Sequence, residues 1–180
     1  MFSGVRATNE EIARELPGDD LVPEAEVAID RAFTLFSDPA HVWPWFLQLG
    51  KSRAGWYLPA SIERFIPRSR RGRRAIDERL LGLRLGDVIP DWGGRRATFT
   101  VARLEPPHVL VHRSQRGATS MSWAIVLRDT GSDAPATRVQ LRVRLGPVRR
   151  PRLARSVGDW FDALTVAGLA AGLGERITGE

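Results

Sequence analysis

The chain has 180 residues, 43% of them hydrophobic and 27% charged, with a net charge of +6. That size suits one domain spanning residues 1–180 with a sizeable core, and the balance excludes wholesale disorder. With no cysteine present, disulfides, thiolate catalysis and cysteine-ligated zinc or iron–sulfur centres are excluded. The longest apolar run, from Ala163 to Leu173, falls short of the roughly 20 residues that span a bilayer. Met1 to Arg6 lacks the apolar run of a signal peptide, so a cytoplasmic location is the default expectation.

Thr8-Asn9-Glu10-Glu11 is a capping box, and a short helix is expected to about Leu16, ended by Pro17-Gly18. Glu26 to Phe36 alternates as a strand, with Val27, Ile29, Arg31, Phe33 and Leu35 on one face. Arg31 on that face is either a rim residue or a buried charge with a partner. Asp38 caps a helix with Pro39 at its first position, carrying Val42, Trp43, Trp45, Phe46 and Leu49 and stopping at Gly50. A short helix from Ala60 to Phe65 follows, then an arginine-rich loop.

Strands are predicted from about Leu85 to Pro90 and over Ala97–Leu104, Val109–Ser114, Ser120–Arg128 and Thr137–Leu145, separated by Pro and Gly turn signals. The last alternates cleanly. Val139, Leu141, Val143 and Leu145 face one way, and Arg138, Gln140, Arg142 and Arg144 the other, which predicts one dry and one wet face. Trp123, Ile125 and Leu127 form the matching dry set. After Pro151, Leu153, Val157, Trp160, Leu164, Ala167 and Ala171 make a helical stripe to the end of the chain. Gly168 and Gly172 in it predict either close packing on the sheet or room for a ligand.

The cations are almost all arginine, Lys51 being the only lysine. Arg64, Arg68, Arg70, Arg71, Arg73, Arg74 and Arg79 form one cluster, and Arg149, Arg150, Arg152 and Arg155 a second. Such patches can bind phosphate, nucleic acid or anionic lipid. Neither cluster has the interleaved aromatics or the groove-reading module of a nucleic-acid protein, so a solvated loop is expected. Membrane docking through Arg64–Arg79 is the alternative weighed and not favoured.

The order of a strand, short helices, an antiparallel meander and a long final helix is that of the α+β helix-grip fold. Phe33-Thr34-Leu35, then a proline, then Val42-Trp43-Pro44-Trp45 resembles the first strand and helix of the START-like SRPBCC superfamily. Gln48-Leu49-Gly50 with Arg53-Ala54-Gly55-Trp56-Tyr57, Leu85-Gly86-Asp87-Val88-Ile89-Pro90, and Ser122-Trp123-Ala124 with Thr137-Arg138-Val139 are similar to a bacterial subgroup. The resemblance covers nearly the whole chain, with the arginine loop departing from it. It implies a curved sheet gripping the final helix around an apolar cavity. It carries no catalytic residue onto any position here.

Six tryptophans are more than a core of this size requires. Trp43, Trp56, Tyr57, Trp123 and Trp160 are the expected cavity wall, with Arg31 and His112 as its polar groups. The expected function is binding of a small hydrophobic molecule (lipid, polyketide or aromatic metabolite). The alternative is an aromatase/cyclase-type enzyme using Arg31, Tyr57, Asp87 or His112, and an interaction module acting through the arginine loop comes third. His41 and His108 are expected to be exposed. No His-x-x-x-His or Glu-x-x-His pair, phosphate loop or Gly-x-Ser-x-Gly elbow occurs, so neither metal nor cofactor is expected. Ligand identity, catalysis and oligomeric state stay open.

Overall fold

The alternating segments assemble into one antiparallel sheet of six strands: β1 (Val27–Leu35), β2 (Val88–Pro90), β3 (Thr98–Glu105), β4 (Val109–Arg116), β5 (Thr119–Asp129) and β6 (Thr137–Gly146), in the order β1-β6-β5-β4-β3-β2. Among the described residues four α-helices accompany it: α1 (Asn9–Ala13), α2 (Pro39–Gln48), α3 (Ala60–Glu63) and α4 (Pro151–Thr178). The structure is a computed structural model that describes residues 3–94, 96–148 and 151–179, without the side chains of Ser3 and residues 151–162. Trp160, Leu153, Val157 and the second arginine cluster therefore lie outside the described side chains.

Local signals set the helix starts. Thr8 Oγ1 accepts from the Glu11 amide at 3.2 Å while Glu11 accepts from the Thr8 amide at 2.8 Å. Asp38 accepts from the His41 amide at 2.9 Å, with Pro39 in the first turn of α2. The core lies between the sheet's inner face and the helices. Val42, Trp43, Trp45 and Phe46 of α2 and Val166, Leu169 and Leu173 of α4 pack with Phe33, Leu110, Ile125, Val139 and Leu141 of the sheet.

The outer face of β6 is not wet. Gln140 is fully buried and Arg142 is 4% exposed, because the segment before β1 roofs that face. α1 stops at Ala13, short of the expected Leu16, and its last carbonyls have no intrahelical donors. Arg142 supplies them, donating to the carbonyls of Glu11, Ile12 and Arg14 at 2.8–3.1 Å. The same guanidinium pairs with Asp30 and Asp19, each at 2.7 Å. Arg138 pairs with Glu11, and Gln140 Nε2 donates to the Glu11 carbonyl. Gly18, at φ +96°, lets the roof close: a Cβ there would sit 2.6 Å from Val111 Cγ1.

The arginine loop is only partly solvated. Arg176 of α4, with its side chain fully buried, pairs with Glu63 at 2.6 Å and donates to the carbonyls of Leu58, Gly72, Arg73 and Gly172. Arg74 bridges Glu63 and Glu175, Arg71 donates to the Ile66 and Arg64 carbonyls, and Arg73 and Arg79 pair with Asp77. The loop is thereby fastened to α4. The glycines of α4 serve this packing: a Cβ on Gly172 would lie 2.7–2.8 Å from the Leu58 backbone, and one on Gly168 would lie 2.6 Å from Leu58 Cδ2. Close packing is the outcome, against the Leu58 segment rather than the sheet.

Candidate functional site

Register brings the inner-face side chains into rows. Val143 pairs with Ile29 on one side and Trp123 on the other, and Trp123 pairs in turn with His112; the next row joins Arg31 to Leu141. Above these rows α4 brings Thr165 and Val166, and the loops bring Trp56, Asp91 and Trp92. Together with Phe99 and Met121 they enclose a cavity of about 260 Å³ between sheet and helix.

Its wall is chiefly apolar, with four aromatic rings among twelve lining residues. Trp56 stacks on Trp123 (centroids 6.3 Å apart, planes 29°) and meets Trp92 edge-on at 5.8 Å, while Phe99 tilts against Trp123 at 5.7 Å. Trp56 Nε1 donates to the Thr165 carbonyl at 3.1 Å, tying this wall to α4. Trp92, 48% exposed, stands at the open side. Two charged side chains reach the cavity. Asp91 is 5% exposed and held by Arg116, whose guanidinium also lies 5.9 Å above the Phe99 ring. Arg31 donates to the Asp30 carbonyl at 2.9 Å and lies half-buried in the wall.

Of the residues singled out in the sequence, the structure brings Arg31, Trp56 and Trp123 together at the cavity. Trp43 and Tyr57 stand elsewhere. Trp43 is 5% exposed in the core, and Tyr57 is fully buried, its hydroxyl donating to the Trp45 carbonyl at 2.9 Å. Burial pushes the Tyr57 phenol well above its ordinary range. His112 is one ring behind the wall, 3% exposed, stacked on Trp123 at 5.4 Å and beside Phe99 at 5.6 Å. Neither of its nitrogens has a hydrogen-bond partner among the described residues. Burial first, and the Arg53 charge second, depress its pKa from 6.5 to about 4, so it is neutral at pH 7. Asp87 holds a turn by accepting from the Arg84 amide at 2.8 Å and does not line the cavity. Trp160 lies outside the described side chains.

The sequence reading missed Asp91, Trp92, Phe99 and Met121. Phe99 and Met121 lie on predicted strands, but the strand pattern does not say which inner-face residues stop short of α4. Asp91 and Trp92 follow a proline in a loop and gave no periodic signal. Among the described residues no cluster of His, Asp or Glu is arranged to hold a metal ion, and no helix is long and apolar enough to cross a membrane.

No family model and no curated protein matches the chain. Solved structures do. A protein from Rhodobacter sphaeroides aligns at 14% identity over 87% of this chain and 95% of its own, with a TM-score of 0.54. One from Arthrobacter aurescens aligns at 10% over 100% and 94%, TM-score 0.53. An HSP90 activator from Plasmodium falciparum aligns at 13% over 84% and 96%, TM-score 0.52. At such identities the likeness shows fold alone. The chain has the α+β helix-grip fold.

Proposed function

We propose that residues 1–180 act as one unit that binds a small, flat, apolar molecule in the cavity between the sheet and α4. The observation that carries this reading is the cavity itself: about 260 Å³ walled by Trp56, Trp92, Trp123 and Phe99. Ligand sites commonly measure about 300–1,000 Å³, mostly apolar with a few placed polar groups. A volume just below that range favours a one- or two-ring aromatic metabolite over a long-chain lipid or a fused polyketide. Arg31, Asp91 and Thr165 are the polar residues that line the cavity. The aromatase/cyclase reading draws less support, because Tyr57, Asp87 and His112 do not line the cavity and only Arg31 of its four candidates does.

The test uses 2-methoxynaphthalene, an uncharged, flat two-ring fluorescent probe. It is expected to bind saturably and quench tryptophan emission. Trp56→Ala should weaken it roughly threefold to tenfold, the worth of one stacked ring. Val143→Trp, which fills the cavity, should abolish binding while near-ultraviolet dichroism stays native. Binding unchanged in both variants would refute the reading.

A further inference from the structure

The seven arginines between residues 64 and 79 fall into two groups. Arg71, Arg73, Arg74 and Arg79 are engaged by carbonyls or carboxylates of the fold. Arg64, Arg68 and Arg70 are exposed and have no acidic partner among the described residues. The acids nearest them in sequence and fold, Glu63 and Glu175, are already taken by Arg74 and Arg176. On the same short stretch stand two large apolar side chains that the core does not use, Phe65 at 78% exposed and Ile62 at 47%. The Arg64 guanidinium lies 4.6 Å above the Phe65 ring. The stretch is fastened to α4, where buried Arg176 joins Glu63 to the carbonyls of Leu58 and Gly72.

We propose that this stretch is a docking surface for an anionic lipid bilayer, with Phe65 and Ile62 entering the headgroup boundary and Arg64, Arg68 and Arg70 lying against the phosphates. The proposal goes beyond the cavity reading and does not depend on it. Charge complementarity supplies the occupant: three unneutralised guanidiniums beside an apolar tip match a surface that is negative outside and apolar beneath. A solvated loop has no need of an exposed phenylalanine. A nucleic acid would be served by the charges, but the stretch presents no recognition helix to enter a groove, since α3 has only four residues, and the apolar pair favours the bilayer. Each basic residue near an anionic leaflet contributes about 1 kcal/mol, or roughly fivefold in affinity.

The experiment is co-sedimentation of the whole protein with vesicles of phosphatidylcholine containing about 30% phosphatidylglycerol, against phosphatidylcholine alone, at low and high salt. Binding is expected only with the anionic lipid, falling with salt. R64S/R68S/R70S should lower it roughly hundredfold and Phe65→Ser about tenfold. Arg79→Ser, on the same loop but paired with Asp77, should leave it nearly unchanged. All these side chains are exposed, so native dichroism is expected in every variant. Charge without insertion is tested by Phe65→Ser: unchanged vesicle binding in that variant would overturn the proposal. So would no binding to anionic vesicles, or preferential binding of the protein to duplex DNA or RNA in the same buffer.

Discussion

Lowering the pH should destabilise the protein through His112, and replacing that residue should remove the effect. His112 is a base whose pKa in the folded chain, about 4, lies below its ordinary 6.5. Below about pH 6.5 the unfolded chain takes up a proton that the buried ring refuses, so stability falls as pH falls. The loss levels off once pH drops through about 4. Across that window, at 1.36 kcal/mol per pH unit, the full loss is about 3 kcal/mol, most of it reached by pH 4.5. The ring has little alternative, packed between Trp123 and Phe99 with no hydrogen-bond partner among the described residues. His112→Phe keeps the aromatic packing and removes the titration. Its stability near pH 7.5 should equal or slightly exceed that of the parent, because an unpaired buried imidazole is itself unfavourable. Urea unfolding of both proteins near pH 7.5 and pH 4.5 decides the matter. The Glu11 carboxylate, held low by Arg138, weakens both proteins in acid alike, so the difference between them isolates His112. At a slope of about 2 kcal/mol per molar urea, the parent midpoint should fall by about 1 M more than the variant's. Superimposable pH profiles would refute the reasoning.

Arg142→Met should cost about 3–5 kcal/mol, because it leaves the buried Asp30 carboxylate with only a long contact to Gln140 Nε2 and takes the donor from the Ile12 and Arg14 carbonyls. Thermal or urea unfolding measures it, and a loss under 1 kcal/mol would mean water replaces the guanidinium freely. Gly172→Ala and Gly174→Ala should differ in sign. Helix propensity favours alanine by about 1 kcal/mol at both, but a Cβ on Gly172 meets the Leu58 backbone at 2.7 Å, whereas one on Gly174 meets nothing within 4 Å. Overpacking of about 1–3 kcal/mol should make the first destabilising overall and leave the second stabilising. Equal melting shifts would show that the Leu58 segment yields.

What could be read from the residues alone was local or periodic. The capping box at Thr8, the Asp38-Pro39 helix start and the alternation of β6 each involve neighbours within a few positions, and each appears in the structure. The order of those elements suggests the helix-grip fold, and motifs such as Val42-Trp43-Pro44-Trp45, by their resemblance to the SRPBCC superfamily, sharpen it. Alternation also named which side of β6 is apolar. It did not tell that the polar side is covered, because Arg142 finds its partners at residues 11 to 30, more than a hundred positions away. Trp56 and Tyr57 show the same limit in miniature. They are adjacent aromatics after one glycine and indistinguishable by pattern, yet opposite orientations send one to the cavity wall and the other into the core. The glycines of α4 were ambiguous until the Leu58 segment was seen lying against Gly172. The seven loop arginines became separable only once Glu63, Asp77 and Glu175 had chosen among them. Periodicity records which face of an element a side chain occupies. What lies over that face is decided by segments distant in the chain, and burial, pairing and pKa follow from them.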